Sequence, residues 1–254
     1  MRNIKTLAEV REISLDKVER ARRSRQVNLK SILGLIDING PDGAGKSTLS
    51  SYLAKQLSIQ HPYQVISLSN LNGSAGLREI KRRIALSSDS SEISQLYLDG
   101  TITYYKEIIP HLLQTGIGAI VDGSVDKLLV YQLVQHNYQR YFELLDMVMR
   151  GTLTSNTWAA HRIQIFSEGD SIEDRSANIW KNLEDRRNIE GGLSRFDPQS
   201  YNEVVSRVTS SDIVNETMLG LDVIGSSTQN ITLRRVSEPQ RTFYYGRLTA
   251  EFVQ

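Results

Sequence analysis

The residues with the clearest capacity for chemistry lie between Gly40 and Thr48, in the run GPDGAGKST. It satisfies the pattern G-x-x-x-x-G-K-[ST], in which glycines let backbone N–H groups turn inward around phosphate oxygens. Lys46 is placed to reach the outer phosphates as a mobile point charge, and Ser47 to offer a hydroxyl to Mg²⁺. Gly40, Asp42, Gly43, Ala44, Gly45, Lys46, Ser47 and Thr48 are therefore the predicted contacts of a bound ATP. A loop of this kind needs a strand before it and a helix after it. Residues 32–39 (ILGLIDIN) read as a buried parallel strand, and 46–59 as a helix with Leu49, Leu53 and Leu57 on one face. The helix N-terminus adds its positive dipole end to the site.

The rest of the chain alternates in the same way. Strands are predicted at 64–69, 117–122 and 161–167, with two further strand-like runs at 221–225 and 231–236. Helices are predicted at 4–25, 77–86, 92–114, 126–149, 171–190 and 199–218, with Pro110 bending or interrupting the third of these. Glycine, serine and asparagine make 70–76 a loop. The predicted class is α/β: a central parallel sheet flanked by helices in three layers.

Composition bounds the function. The chain has 254 residues, a net charge of +1 and no cysteine. Disulfides, thiol catalysis and cysteine-bound zinc are excluded. His61, His111, His136 and His161 are scattered without metal-ligand spacing. No apolar run is long enough to span a bilayer and the N-terminus lacks a secretory core, so a cytoplasmic protein with no membrane partner is expected. Residues 1–30 carry nine basic and four acidic side chains, which leaves +5 there and −4 on the remainder. The Arg22–Arg25 cluster reads as a solvated helix face or as a contact for nucleic acid.

The loop alone does not separate a kinase from a hydrolase. There is no N-K-x-D segment to read guanine, and the strand at 117–122 ends in Asp122-Gly123 rather than Asp-Glu. Asp122, at a strand carboxyl end, is the candidate to hold the metal or orient an acceptor, or it caps a loop. Asp42 either contacts the acceptor or stabilises the turn. Arg175, Arg186, Arg187 and Arg195 either approach the transferring phosphoryl group or pair with Glu173, Asp174, Glu184 and Asp185.

The run GPDGAGKST, the block Leu98-Asp99-Gly100 with Tyr104, Tyr105, Ile108, Ile109 and Pro110, and the strand Gly118–Asp122 with Tyr131-Gln132 resemble thymidylate kinases and the wider P-loop nucleotide kinases. A weaker block, Glu184-Asp185-Arg186-Arg187 with Phe196 and Tyr201–Val208, looks like that family's arginine-bearing lid. The resemblance covers roughly residues 32–225. It implies a P-loop kinase domain, set at 31–254, with a helical lid at about 171–198; the strand-like tail at about 220–254 and the basic helical extension of residues 1–30 are read from the residues, and neither residues 1–30 nor those beyond about 226 have a clear counterpart in the family. It also implies transfer of the γ-phosphoryl group of ATP, with Mg²⁺, to a nucleoside monophosphate or nucleoside, and a homodimer.

By the resemblance, Lys46, Asp122, Arg186 and Arg187 are catalytic, Ser47 and Asp122 serve the metal, and Asp42, Asp99, Tyr104 and Tyr105 meet the acceptor. Asp99 reads equally as the cap of a helix starting at Thr101, and Tyr97, Tyr104 and Tyr105 as core. Two departures stand out. Gly100 and Gly123 replace arginines that lie near the acceptor phosphate in the family, and Arg78, Arg82 and Arg83 are the candidates to replace that charge. Gly43 also stands where some relatives carry arginine, which passes that role to the lid. The acceptor need not be dTMP. A kinase of a non-nucleotide small molecule and a non-catalytic ATP-binding regulator remain open.

Overall fold

A computed structural model describes residues 6–67, 75–190, 198–221 and 223–233. Its frame is one sheet of five strands, all parallel: β1 (Lys30–Asn39), β2 (Tyr63–Ser67), β3 (Gly118–Asp122), β4 (Thr157–Ser167) and β5 (Ser227–Leu233). Their order across the sheet is β2-β3-β1-β4-β5. From β1 the chain moves to one side for β2 and β3, then crosses to the other for β4 and β5. A crevice opens where this direction reverses, beyond the carboxyl ends of β1 and β3, and ligands of open α/β sheets gather there.

Alternation along β1 explains the three layers. Ile36 and Ile38 face a core of Leu49, Leu53 and Leu57 on α2 (Lys46–Leu57), joined by Ile163 and Ile165 of β4. Leu35 faces the opposite way, into a larger core. That second face is covered by α1 (Leu7–Arg23), α3 (Ala75–Leu86), α4 (Ser90–Thr103), α5 (Ile109–Gln114), α6 (Val125–Val134), α7 (Tyr138–Met149) and α9 (Tyr201–Leu219). The remaining long helix, α8 (Ile172–Glu190), packs Ile179 and Leu183 against Val204 and Val208 of α9. No helix among the described residues is long and apolar enough to cross a membrane.

The leader helix is part of the main core. Thr6 and Glu9 form a capping box at its start, and Val10, Val18 and Ala21 join the larger cluster. Ser14 is fully buried and its hydroxyl lies 3.0 Å from that of Tyr141 on α7. Its basic face is largely paired: Arg20 with Asp16, Arg23 with Glu19, Lys17 with Asp146 and Arg11 with Glu216. Residues 1–5 lie outside the described residues.

The interruption expected near Pro110 is present: the helix over 92–114 gives way to a π-turn at Tyr104–Ile108, and Pro110 lies in the first turn of α5. Three expectations are corrected. The helix predicted over 126–149 is two helices, because His136 takes a positive φ of 55° and Asn137 caps α7. No helix starts at Thr101; α4 starts at Ser90, capped by Asp89. The run 221–225 is not a strand: Gly225 turns with φ 80°, leaving Ile224 95% exposed and β5 to begin at Ser227. The later run, 231–236, does enter β5 up to Leu233; its remainder lies outside the described residues.

β1 carries a local break that the periodicity did not reveal. Its pairing with β4 shifts between Ile32 and Ile36, and Gly34 there has φ 80°. The bulge turns Leu33 outward, so that a leucine in a run that reads as buried is 83% exposed.

Candidate functional site

The loop leaves β1 at Asn39 and enters α2 through Gly45, whose φ of 96° is the left-handed conformation that glycine adopts without strain. Gly40 is fixed by close approach. A Cβ there would stand 2.6 Å from the Ile165 carbonyl oxygen of β4, at a φ of 139°. Gly40→Ala is accordingly expected to cost about 1–3 kcal/mol, read as a lower urea midpoint at unchanged m-value.

Within the loop, Lys46 is buried and its ammonium donates to the carbonyl oxygens of Gly40 (2.8 Å) and Pro41 (3.0 Å). Burial pushes its pKa down, and Asp42 at 3.5 Å offsets only part of that. The Ser47 hydroxyl donates to Asp122 Oδ2 at 2.6 Å, joining the start of α2 to the end of β3. These are the pair expected at a metal, and the sheet brings them together from positions 75 residues apart. Among the described residues no group of three His, Asp or Glu side chains could hold a metal ion by itself. Mg²⁺ bound alongside nucleotide phosphates does not need one, since one or two protein oxygens suffice.

Asp42 is the electrostatic centre of the loop. Its carboxylate accepts from Arg207 Nη1 (2.7 Å) and the Tyr131 hydroxyl (3.2 Å), with Lys127 Nζ at 3.4 Å. Burial opposes its charge, but Lys127, Lys46 and Arg207 outweigh burial and hold the carboxyl far below its usual range. Burial and Asp42 push Tyr131 up to about 12, so at neutral pH it is a phenol that donates. The Tyr131 ring is flanked by Lys127 and Arg207, whose cationic groups lie 5.7 and 5.2 Å from its centroid.

Beneath the loop lies a second set of charges. Arg162 of β4 is buried, with Asp126 Oδ2 at 2.6 Å and Asp37 Oδ2 at 3.5 Å, and its guanidinium sits 4.4 Å from the Trp158 ring centroid. Burial raises both carboxyls, and Arg162 only partly restrains that rise. Nearby, Asn39 Oδ1 accepts from the Ser124 hydroxyl at 3.1 Å, tying the start of α6 to the end of β1.

Two cavities adjoin the loop. A small one, of about 20 Å³, touches Gly40, Asp42, Lys127 and Arg207 and reaches down to Asp126. A larger one, of about 330 Å³, is walled by α4, α6 and α9 and includes Ile93, Tyr97, Gln132 and Glu203. Tyr131 and Arg207 line both, so the larger pocket opens beside Asp42. Its volume falls in the range of small-molecule sites.

The expected acceptor contacts fare unevenly. Asp42 lines the small cavity and Tyr97 the larger one. Tyr104 and Tyr105 are core: both are buried in the large cluster, and the Tyr104 hydroxyl donates to the Ser67 carbonyl at 3.2 Å. The π-turn at this point sets both rings inward. Asp99 lies in mid-helix, accepts from Gln95 Nε2 at 2.8 Å and borders neither cavity. The cations beside the pocket are Lys127 and Arg207 rather than arginines of α3, where Arg82 pairs with Glu79, and Arg83 with Glu92.

The predicted lid helix does reach the loop. Asn182 Nδ2 lies 3.4 Å from the Gly43 carbonyl oxygen, and a Cβ on Gly43 would meet Leu183 at 3.0 Å and Ile179 at 3.2 Å. An arginine at 43 has no room beneath α8. Arg175 is committed elsewhere, making two bonds to Asp212 of α9 at 2.6 and 3.0 Å. Arg186 and Arg187 stand on α8 one turn beyond the contact with Gly43; their side chains, and Arg195, lie outside the described residues.

Lys127, Arg207, Glu203 and the Asp37–Arg162–Asp126 cluster were missed in the sequence. Two signals were present. Lys127 follows Gly123 by one helical turn, and Arg162 interrupts the apolar pattern of a strand that reads as buried. No protein-family model matches the chain.

Proposed function

We propose that this protein is a thymidylate-kinase-like phosphotransferase, which moves the γ-phosphoryl group of ATP to a nucleoside or nucleoside monophosphate. The observation that carries this is the loop between β1 and α2: a glycine cradle at the sheet's reversal point, holding a buried lysine and a Ser47–Asp122 pair. The second support is the pocket of about 330 Å³ that opens beside Asp42.

In this mechanism the chain positions and neutralises. The backbone amides of Gly43 to Lys46 and the N-terminus of α2 receive the phosphates. Lys46 exchanges its carbonyl partners on Gly40 and Pro41 for phosphate oxygens, which relieves a buried cation of poor partners. Ser47 and Asp122 supply hard oxygens that suit Mg²⁺, which when bound neutralises charge on the phosphates. Asp42, fixed by three donors, holds the edge of the acceptor pocket. α8, resting on Gly43, excludes water above the loop.

The test is transfer of label from γ-labelled ATP, with and without Mg²⁺, to a panel of nucleosides and their monophosphates. Magnesium-dependent formation of a labelled ester on a member of the panel is expected. Transfer confined to a non-nucleotide molecule would move the assignment to that class. Tight ATP binding with no acceptor at all would leave a nucleotide-binding regulator.

A further inference from the structure

We infer that the acceptor is an uncharged, hydroxyl-bearing molecule of nucleoside type, and that the Glu203–Arg207 pair selects against acceptors carrying a phosphate of their own. This deepens the phosphotransferase reading and rests on it.

Charge accounting in the pocket carries the inference. Among the described residues that line the larger cavity, only Glu203 and Arg207 are charged. Arg207 Nη2 donates to Glu203 Oε1 at 2.6 Å and Nη1 to Asp42 Oδ2 at 2.7 Å. The guanidinium therefore stands between two carboxylates. Lys127, the next cation, is also turned to Asp42. Lys46 at 3.5 Å is the third cation on Asp42, and it belongs to the donor loop. Within the described lining of the larger cavity one cation faces one anion, so that wall presents no net positive charge. The Arg207 side chain is only 7% exposed, so its ion pairs lie in low dielectric where charge-assisted bonds are strong.

A phosphate monoester entering this pocket must displace Glu203 or Asp42 from Arg207, or remain beside both carboxylates. Either course is unfavourable, since close like charges repel and a displaced carboxylate stays partly buried. A neutral ligand meets no such obstacle. It finds an aromatic ring at Tyr97, aliphatic surface at Ile93 and Leu128, and hydroxyl and amide groups at Ser94, Gln132 and Gln135. That mixture suits a flat, hydrogen-bonding base joined to a hydroxylated sugar. In the reaction the acceptor hydroxyl oxygen bonds to the γ-phosphorus, the bond from that phosphorus to the β-phosphate oxygen breaks, ADP leaves with the electron pair, and the hydroxyl proton passes to water.

Matched nucleosides and 5′-monophosphates should be compared in two ways: kcat/KM with Mg·ATP, and calorimetric affinity for the protein with and without a non-hydrolysable ATP analogue. The wild type is expected to favour the nucleoside by about tenfold or more in both. Glu203→Gln, which keeps shape and removes one carboxylate charge, should shift that ratio about tenfold toward the monophosphate. A wild type that prefers the monophosphate, or a ratio unmoved in Glu203→Gln, overturns the inference. Should the ATP analogue fail to bind, the donor reading fails, while nucleoside and monophosphate affinities for the nucleotide-free protein still decide the acceptor class. Should Glu203→Gln unfold, Glu203→Asp, which shortens the reach to Arg207 and keeps the charge, must lower the selectivity instead.

Discussion

Lys46→Ala is expected to lower phosphoryl transfer by on the order of 10²–10³-fold while the protein stays folded. The two halves of that expectation have separate causes. The rate falls because Lys46 is the one cation within the loop, and preorganised charge is worth most where water is excluded. The fold survives because the resident interactions are weak ones to lose. The ammonium is buried, burial presses its pKa down, and its closest partners are two neutral carbonyls, with Asp42 at the limit of contact. Asp42 keeps Arg207, Tyr131 and Lys127 when Lys46 is removed. Steady-state transfer and a urea titration on the same preparation separate the effects: a variant with wild-type turnover removes the donor-site assignment, and one that fails to fold removes the account of the loop.

How far the sequence could be read depended on whether a signal was local. β1, α2 and the loop between them were legible because strand periodicity, helix periodicity and the glycine pattern agree within the one short stretch from Lys30 to Leu57. Ser47 and Asp122 were singled out by type, since a hydroxyl after the lysine and a carboxylate at a strand end both suit phosphate chemistry. Their contact at 2.6 Å was not, because it depends on β3 lying beside β1 with β2 outside it. The break at His136 was missed for another reason. Apolar residues continue in helical spacing on both sides, and only one residue's positive φ divides them.

The acceptor side was the least legible. Family position pointed to Asp99, Tyr104 and Tyr105, but a five-residue π-turn rotates the helix there and carries both tyrosines into the core. The residues that do meet at Asp42 come from three elements: the loop, α6 and α9. Lys127 and Arg207 are 80 residues apart, and each alone reads as an ordinary helical cation. The missing arginines were visible; the charges standing beside the pocket instead were not, because their placement is set by tertiary packing.

Arg162→Ala should destabilise the protein by about 3–5 kcal/mol near neutral pH, through the loss of the one cation between two buried carboxylates. Asp37, Asp126 and Arg162 are all nearly inaccessible, and one oxygen of each aspartate already lacks a hydrogen-bond partner. The pH dependence distinguishes this cause from a simple cavity. Burial first, and the neighbouring Asp37 also, push Asp126 up to about 6 against Arg162's pull, from the ordinary carboxyl value of 3.8. The folded state therefore holds more protons than the unfolded chain between those values, so this group's stabilisation is full below the window and declines as pH rises through it. Removing Arg162 raises both carboxyls further, which extends the decline to higher pH. The penalty in Arg162→Ala should thus be largest at pH 8 and shrink toward pH 5, where neutral carboxyls no longer need a cation. A loss of packing over Trp158 alone would be independent of pH. Adding Asp126→Asn to Arg162→Ala should recover part of the loss at pH 8 and little at pH 5, measured by urea unfolding at both. Equal penalties at the two pH values would assign Arg162 to packing, and would remove the charge cluster as the brace between β1, β4 and α6 beneath the loop.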